Sequence, residues 1–146
     1  DNAVRALKSK VMRSDEHTLY APFKDDFVGY EEPGDVDEVL DMSFPYLPHT
    51  GSLGEMVLSS GKAVYLYGKG ADGIMDISPF SCMNGIVTEA VYPRLQKDLG
   101  NMPIRTFYFD GTQGDLERDV GIFLELANTY RRRKQKSRVY PSCFAE

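Results

Sequence analysis

Two short β-rich stretches, separated by one helical pattern, most strongly limit how this chain can fold. The first is Ile74–Ser78, which Pro79 terminates, and the second is Pro103–Phe109, which Asp110-Gly111 ends. Between them, apolar residues recur at helical spacing as far as Gly100. Two strands joined by one helix indicate a parallel βαβ unit with a right-handed crossover, and such sheets bury both faces. The sequence therefore predicts an α/β fold.

The helical patterns contain glycine and proline residues that affect packing. From Glu55 to Lys69, apolar positions recur at helical spacing, and Gly61 and Gly68 lie among them, where they would allow close approach of a neighbouring element. Pro93 interrupts the helix between the two strands. Because an interior proline costs about 3 kcal/mol in a regular helix, we expect a kink or a break near Val91-Tyr92.

Further elements are predicted on either side of this unit. Thr112–Asp115 resembles a capping box, and the helix after it continues into a basic tail. In the first fifty residues, Val4–Met12 fits a helix, Thr18–Phe23 fits a strand, and Val36–Met42 fits a short helix. Together these patterns predict helices on both sides of the two strands.

The chain has the length and composition of one globular domain. Its 146 residues are 42% hydrophobic and 27% charged, enough to bury one core. We expect an acidic N-terminal segment over residues 1–43, an α/β domain over 44–134 and a basic flexible tail over 135–146. Because the chain begins at Asp1, without a signal or transit pattern, we interpret it as a piece of a longer protein.

The net charge of −5 hides an asymmetry between the two ends of the chain. Acidic residues gather near the start, and basic residues gather between Arg131 and Arg138. These runs are either solvated surface or groups that attract each other. The basic run lacks aromatic interleaving and a recognition motif, so we expect no nucleic-acid partner. No apolar run approaches the roughly 20 residues that cross a bilayer, so we expect no membrane partner.

The loop after the first strand contains a candidate reactive cysteine. In parallel sheets, ligands bind beyond the carboxyl ends of the strands. Cys82 lies there, at or just before a helix N-terminus, where unpaired N–H groups favour the thiolate that binds iron or attacks an electrophile. The alternative is a buried, inert cysteine that packs as a small hydrophobe. Since Cys82 and Cys143 do not make a disulfide framework, we expect a reducing cytoplasmic location.

The loop after the second strand is also polar. Asp110–Gly114 offers a carboxylate, a hydroxyl, an amide and two glycines, which could hold a phosphate or another polar ligand through backbone N–H groups. The alternative is a glycine turn followed by a helix cap, and the Asp110 carboxylate would oppose close approach of an anion. His49 fits either an acid–base role or a surface or capping position.

Five short stretches carry a resemblance to a known family: Gly54–Leu58, Gly61–Ala63, Gly70–Ile74, Ile77–Met83 and Tyr108–Gln113. Over roughly Phe44 to Arg132, the chain resembles the C-terminal part of CoA protein activases related to 2-hydroxyacyl-CoA dehydratase activators and dehydratase subunits. The Ser-Pro-Phe-x-Cys-Met element is the most specific part. Many relatives have proline after the Cys-Met pair, whereas this chain has Asn84-Gly85.

The resemblance implies a Rossmann-like domain, with a parallel sheet flanked by helices, that contributes Cys82 to an iron–sulfur cluster. Such a cluster would serve low-potential electron transfer to CoA-thioester chemistry in an anaerobic, oxygen-sensitive protein. A cluster ordinarily takes four protein ligands, mainly cysteines, so the other ligands are expected from upstream domains or a partner subunit. The residues expected to line the crevice beside Cys82 are Ser78, Phe80, Ser81, Asp110, Gly111, Thr112 and Gln113.

Two further expectations limit this interpretation. The chain lacks a phosphate-binding glycine loop followed by Lys and Ser or Thr, so ATP hydrolysis is not assigned to it. Its own residues do not amount to a complete catalytic site, although acyl-CoA could be a partner of the parent protein. The alternative function is a non-catalytic α/β binding or assembly module that holds a nucleotide or CoA moiety, with Cys82 merely packed.

Overall fold

A computed structural model describes residues 2–27, 33, 35–48, 50, 54–111 and 115–139, which form a mixed α/β structure. The chain divides into two compact units, Asp1–Glu31 with Val139–Glu146, and Glu32–Arg138. None of the helices in the described ranges is long and apolar enough to cross a membrane. The elements are α1 (Asn2–Tyr20), a 3-10 turn (Ala21–Phe23), α2 (Val36–Ser43), α3 (Met56–Gly68), β1 (Ile74–Pro79), α4 (Met83–Asp98), β2 (Ile104–Phe109) and α5 (Leu116–Arg133).

The smaller unit contains α1, which has no buried residue. The predicted helix over Val4–Met12 lies within α1, but the strand predicted over Thr18–Phe23 is wrong, because α1 continues to Tyr20 and the 3-10 turn follows it. The Thr18 hydroxyl donates to the carbonyl oxygen of Ser14 at 2.9 Å. A helical path satisfies the backbone groups within the segment itself, whereas a strand needs a neighbour.

The larger unit is built on a parallel βαβ arrangement. β1 and β2 pair in parallel, with Ile74 opposite Ile104 and Pro79 opposite Phe109, and α4 connects them. Each strand differs from its predicted range by one residue at one end. The predicted α/β fold class is therefore confirmed.

The core lies on both faces of this small sheet. Because successive strand side chains alternate between the faces, Ile104 and Phe107 point in opposite directions. Ile104 joins the larger hydrophobic cluster, which includes Leu95 of α4 and Ala63 of α3. Phe107 packs against Phe123 of α5, with the two ring centroids 6.1 Å apart.

One face of β1 remains open. Phe107 is only 6% exposed, but its ladder partner Ile77 is 68% exposed and Met75 is 40% exposed. The expectation that the sheet buries both faces is therefore wrong for β1. The reason is that α5 packs on β2, and no helix among the described residues shields the outer face of β1.

Helix α4 runs through Pro93 without interruption, so the expected break is absent. The neighbouring Tyr92 is 3% exposed and Leu95 is fully buried. Burial of such side chains contributes about 1.5–3 kcal/mol each, which offsets the cost of about 3 kcal/mol for an interior proline. Packing of this face on the sheet therefore keeps the helix intact.

Gly61 lets α2 lie directly against α3. A Cβ added at Gly61 would lie 2.0 Å from the carbonyl oxygen of Val39 and 2.8 Å from its Cγ1. The Asp35 side chain caps α2 by accepting from the Asp37 N–H at 3.2 Å. The close approach predicted at Gly61 is confirmed, whereas a Cβ at Gly68 would meet nothing within 4 Å, so the packing expected there is wrong.

The segment after α5 lies against the turn that precedes β1. The Lys134 Nζ is 2.5 Å from Asp72 Oδ1 and also donates to the carbonyl oxygen of Gly70. Arg138 Nη1 lies 3.7 Å from Asp72 Oδ2. Arg138, within the predicted basic tail, therefore contacts the rest of the larger unit, whereas residues 140–146, including Cys143, lie outside the described residues.

Candidate functional site

The carboxyl ends of both strands lie at the same edge of the sheet. The N–H of Phe80 donates to the carbonyl oxygen of Phe109 at 3.0 Å, so the ladder continues one residue beyond Pro79. The β1–α4 loop, which contains Cys82, thus starts beside Asp110, the residue that follows β2. The predicted placement of the Cys82 loop and Asp110 at one sheet edge is confirmed.

Cys82 is the N-cap residue of α4 and is half-buried. The backbone N–H groups of Gly85 and Asn84 lower the pKa of its thiol, and the Ser78 hydroxyl acts in the same direction. Burial and the Glu55 carboxylate oppose them. The Cys82 side chain makes no capping hydrogen bond, so the N–H groups and the Ser78 hydroxyl act on the sulfur as nearby dipoles. Such surroundings favour the thiolate.

Gly85 brings the first turn of α4 onto the end of β1. A Cβ added at this position would lie 2.2 Å from the Ser78 Oγ and 2.8 Å from the Ser78 Cβ. Ser78 is itself only 5% exposed. The absence of a side chain at Gly85 therefore fixes where the helix begins, and with it the position of the N–H groups that face Cys82.

Hydrogen bonds between side chains join α4 to the sheet near this edge. Asp76 Oδ2 accepts from the Tyr92 hydroxyl at 2.8 Å and from Thr88 Oγ1 at 3.1 Å. The Tyr108 hydroxyl donates to Glu89 Oε2 at 2.8 Å. Burial, together with the Asp76 carboxylate, raises the pKa of Tyr92, and burial with Glu89 raises the pKa of Tyr108 to about 12. Both phenols therefore remain protonated donors at neutral pH.

The sequence analysis missed this network. Asp76 interrupts an otherwise mostly apolar strand, and that irregularity is the signal that could have indicated a buried partner. Thr88 and Tyr92 lie one turn apart on the inner face of α4, which is consistent with a shared acceptor. The network holds α4 against the strand that leads to Cys82.

The other predicted site residues occupy different surroundings. The Phe80 ring is exposed and meets the Tyr108 ring edge to face, with centroids 6.5 Å apart. Ser81 has a φ of 63° and Gly111 a φ of 84°, so both turn the chain in the left-handed region. Asp110 is exposed. His49, Thr112 and Gln113 lie outside the described residues.

Comparison with known proteins does not identify this arrangement. No family model, curated protein or solved structure matches the chain. Within the part of the chain that the structure describes, no group of three or more His, Cys, Asp or Glu side chains could hold a metal ion. Cys82 fits a single position in a metal centre, because a thiolate at a helix N-terminus is a suitable iron ligand. The described residues do not fit a complete cluster.

Replacing Gly85 by alanine is expected to slow alkylation of Cys82 near neutral pH by at least about threefold. The added Cβ would push the first turn of α4 away from Ser78 and move the N–H groups from the sulfur. The rate is measured by mass spectrometry of the modified peptide, under conditions where the variant is folded.

Two further variants separate this effect from the general effect of a glycine-to-alanine change in a helix. Gly121→Ala is the matched control, because a Cβ in this helical position would meet nothing within 4 Å, and it should react at the wild-type rate. Ser78→Gly combined with Gly85→Ala removes the clashing side chain and should recover part of the lost rate. An unchanged rate in Gly85→Ala would mean that the start of α4 does not control the thiol.

Proposed function

We propose that this chain is a domain of a CoA protein activase related to the 2-hydroxyacyl-CoA dehydratase activators, and that Cys82 is one thiolate ligand of an iron–sulfur cluster. The observation that carries the proposal is the position of Cys82 at the N-terminus of α4, half-buried and beside N–H groups that lower its pKa. Thiolate is the form of cysteine that binds iron. Other domains of the parent or a partner subunit supply the remaining ligands.

In this proposal the cluster, when bound, supplies low-potential electron transfer toward CoA-thioester chemistry. The role of this chain is to present and orient one ligand. Gly85 and Asn84 stabilise negative charge on the sulfur, and the hydrogen bonds of Asp76 hold α4 on β1. In this proposal the loop that contains Cys82 faces the partner that supplies the other ligands. A thiolate ligand of this kind fits a reducing cytoplasm.

A second candidate function is a non-catalytic α/β module that holds a nucleotide or CoA moiety. The absence of a set of three potential metal ligands among the described residues is compatible with it and equally with the first function, in which the other ligands come from elsewhere. The surroundings of Cys82 favour the first candidate, because polar N–H groups rather than an enclosing apolar shell face its sulfur. Reactivity of the thiol therefore distinguishes the two functions.

Alkylation of Cys82 in the folded chain is expected to begin at lower pH than alkylation of a model thiol. Because neighbouring N–H groups lower the pKa of the Cys82 thiol, the reactive thiolate is present at a pH where an ordinary thiol, with a pKa of about 8.5, is largely protonated. The rate is followed across a pH series in a Cys143→Ser background, so that one cysteine reports. If Cys82 reacts only when the protein unfolds, it is a packing residue, and this result would support the second function.

Replacement of Cys82 by serine in the full-length parent is expected to lower its iron and sulfide content, because an oxygen ligand replaces one of the four thiolate positions. The present chain alone, incubated anaerobically with iron and sulfide, should hold less than one cluster per molecule. Cys143→Ser in the parent is the control and should retain iron. Wild-type iron content and redox behaviour in the Cys82→Ser parent would refute the assignment.

A further inference from the structure

We draw no further inference here: the strongest candidate, the exposed apolar face that Met75 and Ile77 present on β1, is an unpartnered surface, and nothing in the structure shows what covers it.

Discussion

Replacing Gly61 by alanine is expected to lower the free energy of unfolding by about 2–4 kcal/mol, at or above the usual range for an overpacked core. The new Cβ would lie 2.0 Å from the Val39 carbonyl oxygen, which belongs to the backbone of α2 and cannot rotate away. α2 has only 8 residues, and a helix shorter than about 12 residues is not stable without packing. Separation of α2 from α3 would also expose the buried Val39 and Ser43.

Urea denaturation followed by circular dichroism measures this loss of stability. Two comparison variants separate the clash at Gly61 from other effects of the substitution. Gly121→Ala, in an open position of α5, should raise stability by about 0.5–1 kcal/mol, because alanine is the better helix former. Adding Val39→Ala to Gly61→Ala should not restore stability, since the nearest clash is with a backbone oxygen. If Gly61→Ala is as stable as Gly121→Ala, α2 does not pack on α3 in solution.

Helix α3 and the βαβ unit that follows it could be predicted because several local signals agree. The helix expected over Glu55–Lys69 is observed as Met56–Gly68, where helical periodicity and a following glycine mark the same boundary. Thr18–Phe23 shows the opposite case. Its β-branched and aromatic residues favour a strand, but strand propensity depends on a neighbouring strand, and the segment folds on itself as helix and turn.

The position of the candidate site could be predicted, but its surroundings could not. Pro79 and the start of a helical pattern place Cys82 in a loop after a strand, and parallel topology places Asp110 at the same edge. The hydrogen bond between Tyr108 and Glu89 joins residues 19 positions apart and depends on how α4 lies on the sheet. Hydrophobic periodicity identifies the inner face of a helix but does not determine that orientation.

Lys134 illustrates the same limit at longer range. A run of basic residues at the end of a chain is typical of a solvated tail, and nothing in the local sequence indicates otherwise. The structure places the Lys134 ammonium against the carbonyl oxygen of Gly70, 64 residues earlier, and beside Asp72. A charge block therefore predicts exposure only on average, and the side chain of one of its members, Lys134, is only 7% exposed.

Replacing Asp72 by alanine is expected to lower the free energy of unfolding by about 3 kcal/mol, because removal of one partner leaves a buried charge uncompensated. The Lys134 side chain is 7% exposed and that of Asp72 is 17% exposed, so water cannot fully replace the carboxylate. The Gly70 carbonyl oxygen would remain as a neutral acceptor, which keeps the expected cost at the lower end of the range for buried pairs.

Chemical denaturation of three variants tests whether burial, rather than charge alone, produces this cost. Arg94→Ala breaks the exposed pair with Asp98 and should cost less than about 1 kcal/mol. Asp72→Ala combined with Lys134→Met removes both charges while keeping an unbranched side chain that is only one heavy atom shorter, and it should be more stable than Asp72→Ala alone. If instead the double variant is less stable than Asp72→Ala, the Lys134 charge is stabilising without its carboxylate. The ammonium would then be hydrated, and the segment after α5 would not be anchored through a buried ion pair.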